Sequence, residues 1–185
     1  MRIIAGKHRG TVLADVGAGD DAAHLRPTSD RVRESLFSML THLGVINGAR
    51  VLDLFAGTGA LGLEALSRGA REVVFVENGR VAQKLLVQNI DKLRVQDKTA
   101  LLRSDATALG ACAAAPFDLV FLDPPYGKGM GQQALAGLRA GGWLKQGAVI
   151  VWEENTPMDA PEGLTRTDRR KYGDTHVTVL RCDWR

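Results

Sequence analysis

The sequence predicts an α/β fold: a mostly parallel sheet with helices on both faces, an antiparallel C-terminal strand, and a small N-terminal extension of one β-hairpin and one helix. Three observations predict it. Short, largely apolar runs recur between residues 51 and 152, the pattern of parallel strands buried on both faces. Most are separated by segments with apolar residues at helical spacing. Both chain ends break this rhythm.

In chain order, Ile3-Ile4 and Thr11-Val12-Leu13 surround Gly6 and Gly10, which predicts a small hairpin over 2–14. Residues 15–25 are polar and rich in Gly, Ala and Asp, a loop composition. Thr28, Ser29 or Asp30 can cap a helix whose apolar face is Val32, Leu36, Phe37 and Leu40. Val51-Leu52-Asp53-Leu54-Phe55 is the first core strand, followed by glycines and an Ala/Leu helix to about Arg68. Val73-Val74-Phe75-Val76-Glu77 is the second, before a helix carrying Val81, Leu85, Leu86, Ile90 and Leu93. Ala100-Leu101-Leu102 and Leu119-Val120-Phe121-Leu122 follow, with an Ala-rich stretch between them. A helix over 131–139 and the strand Val149-Ile150-Val151-Trp152 complete the alternation. Beyond Pro157 and Pro161, two β-like stretches flank Lys171-Tyr172-Gly173-Asp174. The second, His176 to Leu180, closes the sheet as an antiparallel hairpin.

The 185 residues suit one domain, divided into an N-terminal extension over 1–45 and a core over 46–185. No run approaches the roughly 18 apolar residues of a membrane span. Charge interrupts the N-terminus at once, unlike a signal peptide. Cys112 and Cys182 are too few for a disulfide framework or a metal knuckle. A cytoplasmic, metal-free monomer is expected. The net charge is only +3, but its placement is uneven. Arg2, Lys7, His8, Arg9, Arg26, Arg31 and Arg33 precede the first core strand, and Arg166, Arg169, Arg170 and Lys171 cluster near the other end. Asp53, Glu77, Asp105 and Asp123 occupy the middle. Basic flanks around an acidic centre suit a polyanion gripped at its edges; scattered solubility charge is the alternative.

Gly57-Thr58-Gly59-Ala60-Leu61-Gly62 has the spacing G-x-G-x-x-G between a strand and a helix. Glycines there allow a tight turn and bring backbone N–H groups toward a ligand. The spacing is shared with dinucleotide-binding folds, and a carboxylate at Glu77 can accept ribose hydroxyls from either cofactor. Asp53 favours S-adenosylmethionine, since a carboxylate in the preceding strand suits an ammonium and repels a pyrophosphate. Asp105 can accept an adenine amino group while the Ala106 N–H meets a ring nitrogen. The expected cofactor contacts are therefore Asp53, Phe55, Ala56, Gly57, Gly59, Gly62, Glu77, Asp105 and Ala106.

Asp123-Pro124-Pro125-Tyr126 ends the fourth strand. The prolines fix an extended turn and leave neighbouring carbonyls free to accept. An exocyclic amine conjugated to an aromatic ring is a poor nucleophile. Holding its N–H groups on the Asp123 carboxylate and the Pro124 carbonyl directs the nitrogen lone pair at a methyl sulfonium. Tyr126 can stack on a base that has left its helix. Gly127-Lys128-Gly129-Met130-Gly131 reads as a flexible lip, with Lys128 near a phosphate.

Taken together, these segments resemble the RsmD-type family, bacterial methyltransferases that modify a guanine N2 in 16S ribosomal RNA. The resemblance is carried by Arg2-Ile3-Ile4-Ala5-Gly6, the stretch from Arg26-Pro27-Thr28 to Glu34, the segment Leu52 to Gly62, Asp123-Pro124-Pro125-Tyr126 and Tyr172-Gly173. It implies a Rossmann-like class I methyltransferase fold, S-adenosylmethionine, and 16S rRNA within a partly or fully assembled small subunit. Arg2, Lys7, Arg9, Arg26, Arg31, Arg33 and Lys128 are the expected RNA contacts. The central motifs are also shared by DNA adenine-N6 or cytosine-N4 methyltransferases and by protein amide-nitrogen methyltransferases, which are the alternative. Residues 14–25 depart from the family pattern in being longer and more acidic.

Overall fold

The computed structural model describes residues 1–15 and 29–183. Most of the Gly/Ala/Asp-rich stretch, together with Arg26, lies outside the described residues. The elements are α1 (Asp30–His42), β1 (Arg50–Leu54), α2 (Ala60–Ser67), β2 (Glu72–Val76), α3 (Arg80–Leu93), β3 (Thr99–Leu102), β4 (Phe117–Leu122), α4 (Met130–Ala140), β5 (Leu144–Glu154), β6 (Leu164–Tyr172) and β7 (Thr175–Cys182). They form one seven-stranded sheet in the order β3-β2-β1-β4-β5-β7-β6. The first five strands are parallel. β7 pairs antiparallel with β5 and β6 antiparallel with β7, so β6 runs in the direction of the parallel strands. The C-terminal ends of β1, β2, β4, β5 and β6 therefore share one edge.

Alternation along the strands sorts the core into two layers. Val51, Phe75, Leu119 and Phe121 pack with Leu36, Phe37, Leu63 and Leu86 of α1, α2 and α3. Leu52, Leu54, Val120 and Leu122 pack on the other face with Leu135 and Leu138 of α4, Trp143 and Trp152. The Ala-rich stretch between β3 and β4 forms no helix. It breaks at Gly110, whose φ is 70°, and covers this second face through Ala106, Leu109 and Cys112. Of the three capping candidates for α1, Ser29 fills the role: its Oγ accepts from the Val32 N–H at 3.2 Å.

The predicted N-terminal hairpin reduces to a single bridge, Arg2 with Val12, and a few flanking backbone bonds. What holds this arm is α2. Every residue of α2 is buried, because the sheet covers one side and the arm the other. The Glu64 carboxylate accepts from the Ile4 N–H at 2.8 Å and the Ala5 N–H at 3.2 Å. Ser67 Oγ accepts from the His8 N–H and donates to the Ala5 carbonyl. Farther along, the Asn89 side chain holds both backbone groups of Ala14 and donates to the Thr58 carbonyl inside the glycine turn.

Candidate active site

The C-terminal ends of β1, β2 and β4 surround a cavity of about 460 Å³, at the edge where open α/β sheets bind ligands. It brings together Phe55, Gly57, Glu77, Ala106, Asp123, Pro124, Pro125 and Lys128 from the expected set. Sequence reasoning missed Asn78, Gly79, Arg80, Val81, Ala82, Ser104 and Met130, which line it too. A signal existed: Gly79 comes two residues after Glu77 and caps α3, so the first turn of that helix must face the same edge.

The glycine turn divides its labour. Only Gly57 lines the cavity; a Cβ on Gly59 would collide with Leu86, and one on Gly62 would lie 2.5 Å from Phe75. Those two glycines let α2 pack close to β2 and α3. The expectation that the turn brings N–H groups to a ligand is corrected: the Gly57 N–H donates to Glu77 Oε2, the Gly59 N–H to the Ala56 carbonyl and the Gly62 N–H to Asp53 Oδ2, each at 2.9 Å. Phe55, at φ 56°, holds a left-handed conformation that costs a bulky residue energy and that clusters at functional sites.

Asp53 is 1% exposed and lies behind the cavity wall. Burial pushes its carboxyl well above the ordinary range, against the pull of the Gly62 N–H; the nearby Asp123 and Glu77 carboxylates push the same way as burial. Glu77 accepts from the Gly57 N–H at 2.9 Å and the Gly79 N–H at 3.1 Å, tying the glycine turn to the start of α3. Asp105 is exposed and is not among the cavity-lining residues; Ser104 and Ala106 are. Its Oδ1 accepts from the Thr107 hydroxyl and N–H, which holds its carboxyl below the usual range. Ala56 is likewise absent from the lining.

The Asp-Pro-Pro-Tyr run leaves β4 directly into the cavity. Tyr126 does not line it; its hydroxyl lies 3.2 Å from Thr175 Oγ1, at the tip of the β6–β7 hairpin. The lip beyond is pinned at its start, because the Gly127 N–H donates to Glu154 Oε1 at 3.0 Å. Glu154 is 3% exposed and closes β5. No local sequence pattern marks it; register alone brings it to this edge.

Among the basic residues, Arg2, Lys7, Arg9, Arg31 and Lys128 are exposed. Burial, and after it the charges of Lys7 and Lys98, lower the His8 pKa. Arg33 is a correction. It is fully buried, with Nη1 at 3.3 Å from Glu64 and Nη2 donating to Asp30 at 2.5 Å and to the Arg2 carbonyl at 2.7 Å. It fastens the arm to α1 and α2 and cannot meet a polyanion.

A parallel sheet closed by a reversed hairpin, with a glycine turn after β1 and Asp-Pro-Pro-Tyr after β4, defines an α/β methyltransferase. The chain aligns with the solved structure of Escherichia coli yhhF, described as a candidate methyltransferase, with a TM-score of 0.86 and 34% identity over 100% of this chain and 99% of that one. The hypothetical protein TTHA0928 of Thermus thermophilus aligns with a TM-score of 0.74 and 30% identity over 97% and 98%. The ribosomal RNA small subunit methyltransferase D of Escherichia coli K12 is 38% identical over 161 residues, 87% of this chain and 78% of that protein. Its Haemophilus influenzae counterpart is 37% identical over 178 residues, 94% and 89%. The family model described as conserved hypothetical protein 95 matches residues 1–181. The chain belongs to this family, the RsmD family of methyltransferases.

Proposed function

We propose that this methyltransferase moves the methyl group of S-adenosylmethionine to the exocyclic N2 amine of a guanine in 16S rRNA of the small ribosomal subunit. The observation that carries the chemistry is the meeting of Asp123 and Pro124 with Glu77, Gly57 and Ala106 around one cavity. Its residues suit two parts of the donor: the half-buried Glu77 carboxylate would accept ribose hydroxyls and the Ala106 backbone would meet adenine, while Asp53, outside the lining, can act on an ammonium only through its charge.

When bound, S-adenosylmethionine supplies an electrophilic methyl sulfonium. Asp123 and Pro124 act on the acceptor. Their oxygens accept hydrogen bonds from the two amine N–H groups, which turns the nitrogen lone pair out of conjugation and fixes its direction. After transfer the nitrogen carries one proton too many, and the proton held on Asp123 is the one aligned to leave to solvent. Proline at 124 and 125 makes the carbonyl geometry rigid without competing donors.

The substrate assignment rests on the names of the relatives, which specify small subunit ribosomal RNA, and on the exposed cations of the arm. It favours rRNA over DNA or a protein amide. The test is tritiated methyl transfer to small subunits from a strain lacking this activity, with mass spectrometry of the labelled nucleoside. Label on a guanine N2 is expected; label in DNA, in protein or nowhere overturns the reading. Asp123→Ala should lower kcat by about 10²-fold or more, with cofactor Kd within a few-fold. Loss of cofactor binding instead would show that Asp123 serves the donor.

A further inference from the structure

We propose that the edge strand β6 is a second RNA-contact surface, which holds the phosphodiester backbone of the substrate through Arg166, Arg169 and Lys171. This rests on the rRNA reading above and adds to it a surface far in sequence from the N-terminal arm.

The nine residues of β6 carry four cations against one acid. A bulge between Arg166 and Asp168 sorts them by face. Arg166 pairs with Leu180, Arg169 with Thr178 and Lys171 with His176. Those three partners alternate along β7, so all three cations share one face of the sheet, with His176 beside them. Without the bulge, Arg166 would join Asp168 and Arg170 on the opposite face. The acid is thus removed from the cationic row, and it pairs with Arg170 at 3.2 Å. Among the described residues, Arg166, Arg169 and Lys171 make no ion pair, and all three are exposed. The row spans about 13 Å, four residue steps of its β7 partners at roughly 3.3 Å each.

The row also points at the catalytic edge. β6 runs parallel to β4, so Lys171 lies at the end nearest the cavity. The turn beyond it leads to Thr175, which contacts Tyr126 of the catalytic run. A nucleic acid strand whose base enters the cavity can therefore continue along this row. Charged residues also keep an edge strand from pairing with another sheet. Mixed signs would serve that purpose equally; segregation of one sign onto one face is what a polyanion requires.

The test is the double variant Arg166→Gln/Lys171→Gln. Arg169 is kept because it donates to the Met158 carbonyl at 2.9 Å and supports the following loop. Binding to small ribosomal subunits and methylation are measured on the same samples across a salt series. The expected result is about five- to tenfold weaker binding and a salt slope flatter by about 1.4, from two lost phosphate contacts at about 0.7 each. kcat and cofactor Kd should be unchanged. Equal affinity and equal slope overturn the proposal. Should the unaltered protein bind subunits yet label nothing, the catalytic reading falls while the binding comparison still decides the surface. Lysine acetylation of the unaltered protein gives an independent measurement: Lys171 should be protected by subunits, and full reactivity in their presence overturns the proposal.

Discussion

Glu64→Ala tests how the N-terminal arm is held. In the folded protein the Glu64 carboxylate is fully buried and accepts from four donors: the N–H groups of Ile4 and Ala5, Arg33 Nη1 and Arg68 Nε. Removing it leaves Arg33 buried, and breaking a buried pair costs about 3–5 kcal/mol. Arg33 keeps Asp30 and the Arg2 carbonyl, which places the cost near the lower end. The two arm N–H groups would add about 1–3 kcal/mol each if they stayed buried. The arm can instead lift into water, which caps the loss. A total of about 4 kcal/mol follows, a fall in melting temperature of about 8–16 °C at 2–4 °C per kcal/mol. Glu64→Gln keeps one acceptor and should lose about half as much. Urea unfolding gives the magnitude, and hydrogen exchange at the Ile4 and Ala5 amides gives the place. A loss under about 1 kcal/mol, or unchanged protection of those amides, would refute this account of the arm.

Other consequences concern the cavity and its supports. Burial and neighbouring carboxylates raise the Asp53 pKa in the folded protein, so its contribution to stability is full below the ordinary carboxylate range. That contribution is lost as pH rises through the raised value. Asp53→Asn should therefore melt higher than the parent only at the upper end of a pH series; a pH-independent difference would sink this assignment. Cofactor affinity of the parent should rise with pH through the same window, since an ammonium favours ionised Asp53, and calorimetry of the Asn variant should show no such rise. Gly62→Ala forces a methyl to 2.5 Å from Phe75 and 2.8 Å from Val73. A cost of about 1–3 kcal/mol is expected, and a melting temperature indistinguishable from the parent's would contradict it. Glu154→Ala frees the Gly127 N–H and should lower kcat about tenfold, with Glu154→Gln close to the parent; equal losses in both would mean that charge, not the held amide, matters.

The cavity was legible because its parts are local. A strand, a glycine turn and a helix follow one another within a dozen residues, and Asp123-Pro124-Pro125-Tyr126 carries its geometry in its own covalent structure. The supports were not. Arg33 reads as one more surface cation, although its spacing to Leu36, Phe37 and Leu40 places it on the buried stripe of α1; a fuller use of periodicity would have found it. Glu64 and Ser67 look like ordinary polar residues of a helix until the arm covers them. The β3–β4 segment was read only as Ala-rich, and its backbone turns at Gly110 instead of completing a helix.

By itself, then, the sequence determined the strand–helix alternation, the sheet edge that carries the cavity, and the Asp-Pro-Pro run that lines it, because each depends on neighbours along the chain. Only the tertiary structure decided which glycines face the cavity and which face the core, which arginines are exposed, and that Glu154 and the β6–β7 hairpin meet the segment Tyr126-Gly127. Those outcomes depend on strand order and register, which bring Gly127 to Glu154 across 27 residues and Tyr126 to Thr175 across 49. No local pattern encodes such pairings; they follow from burying both faces of one sheet.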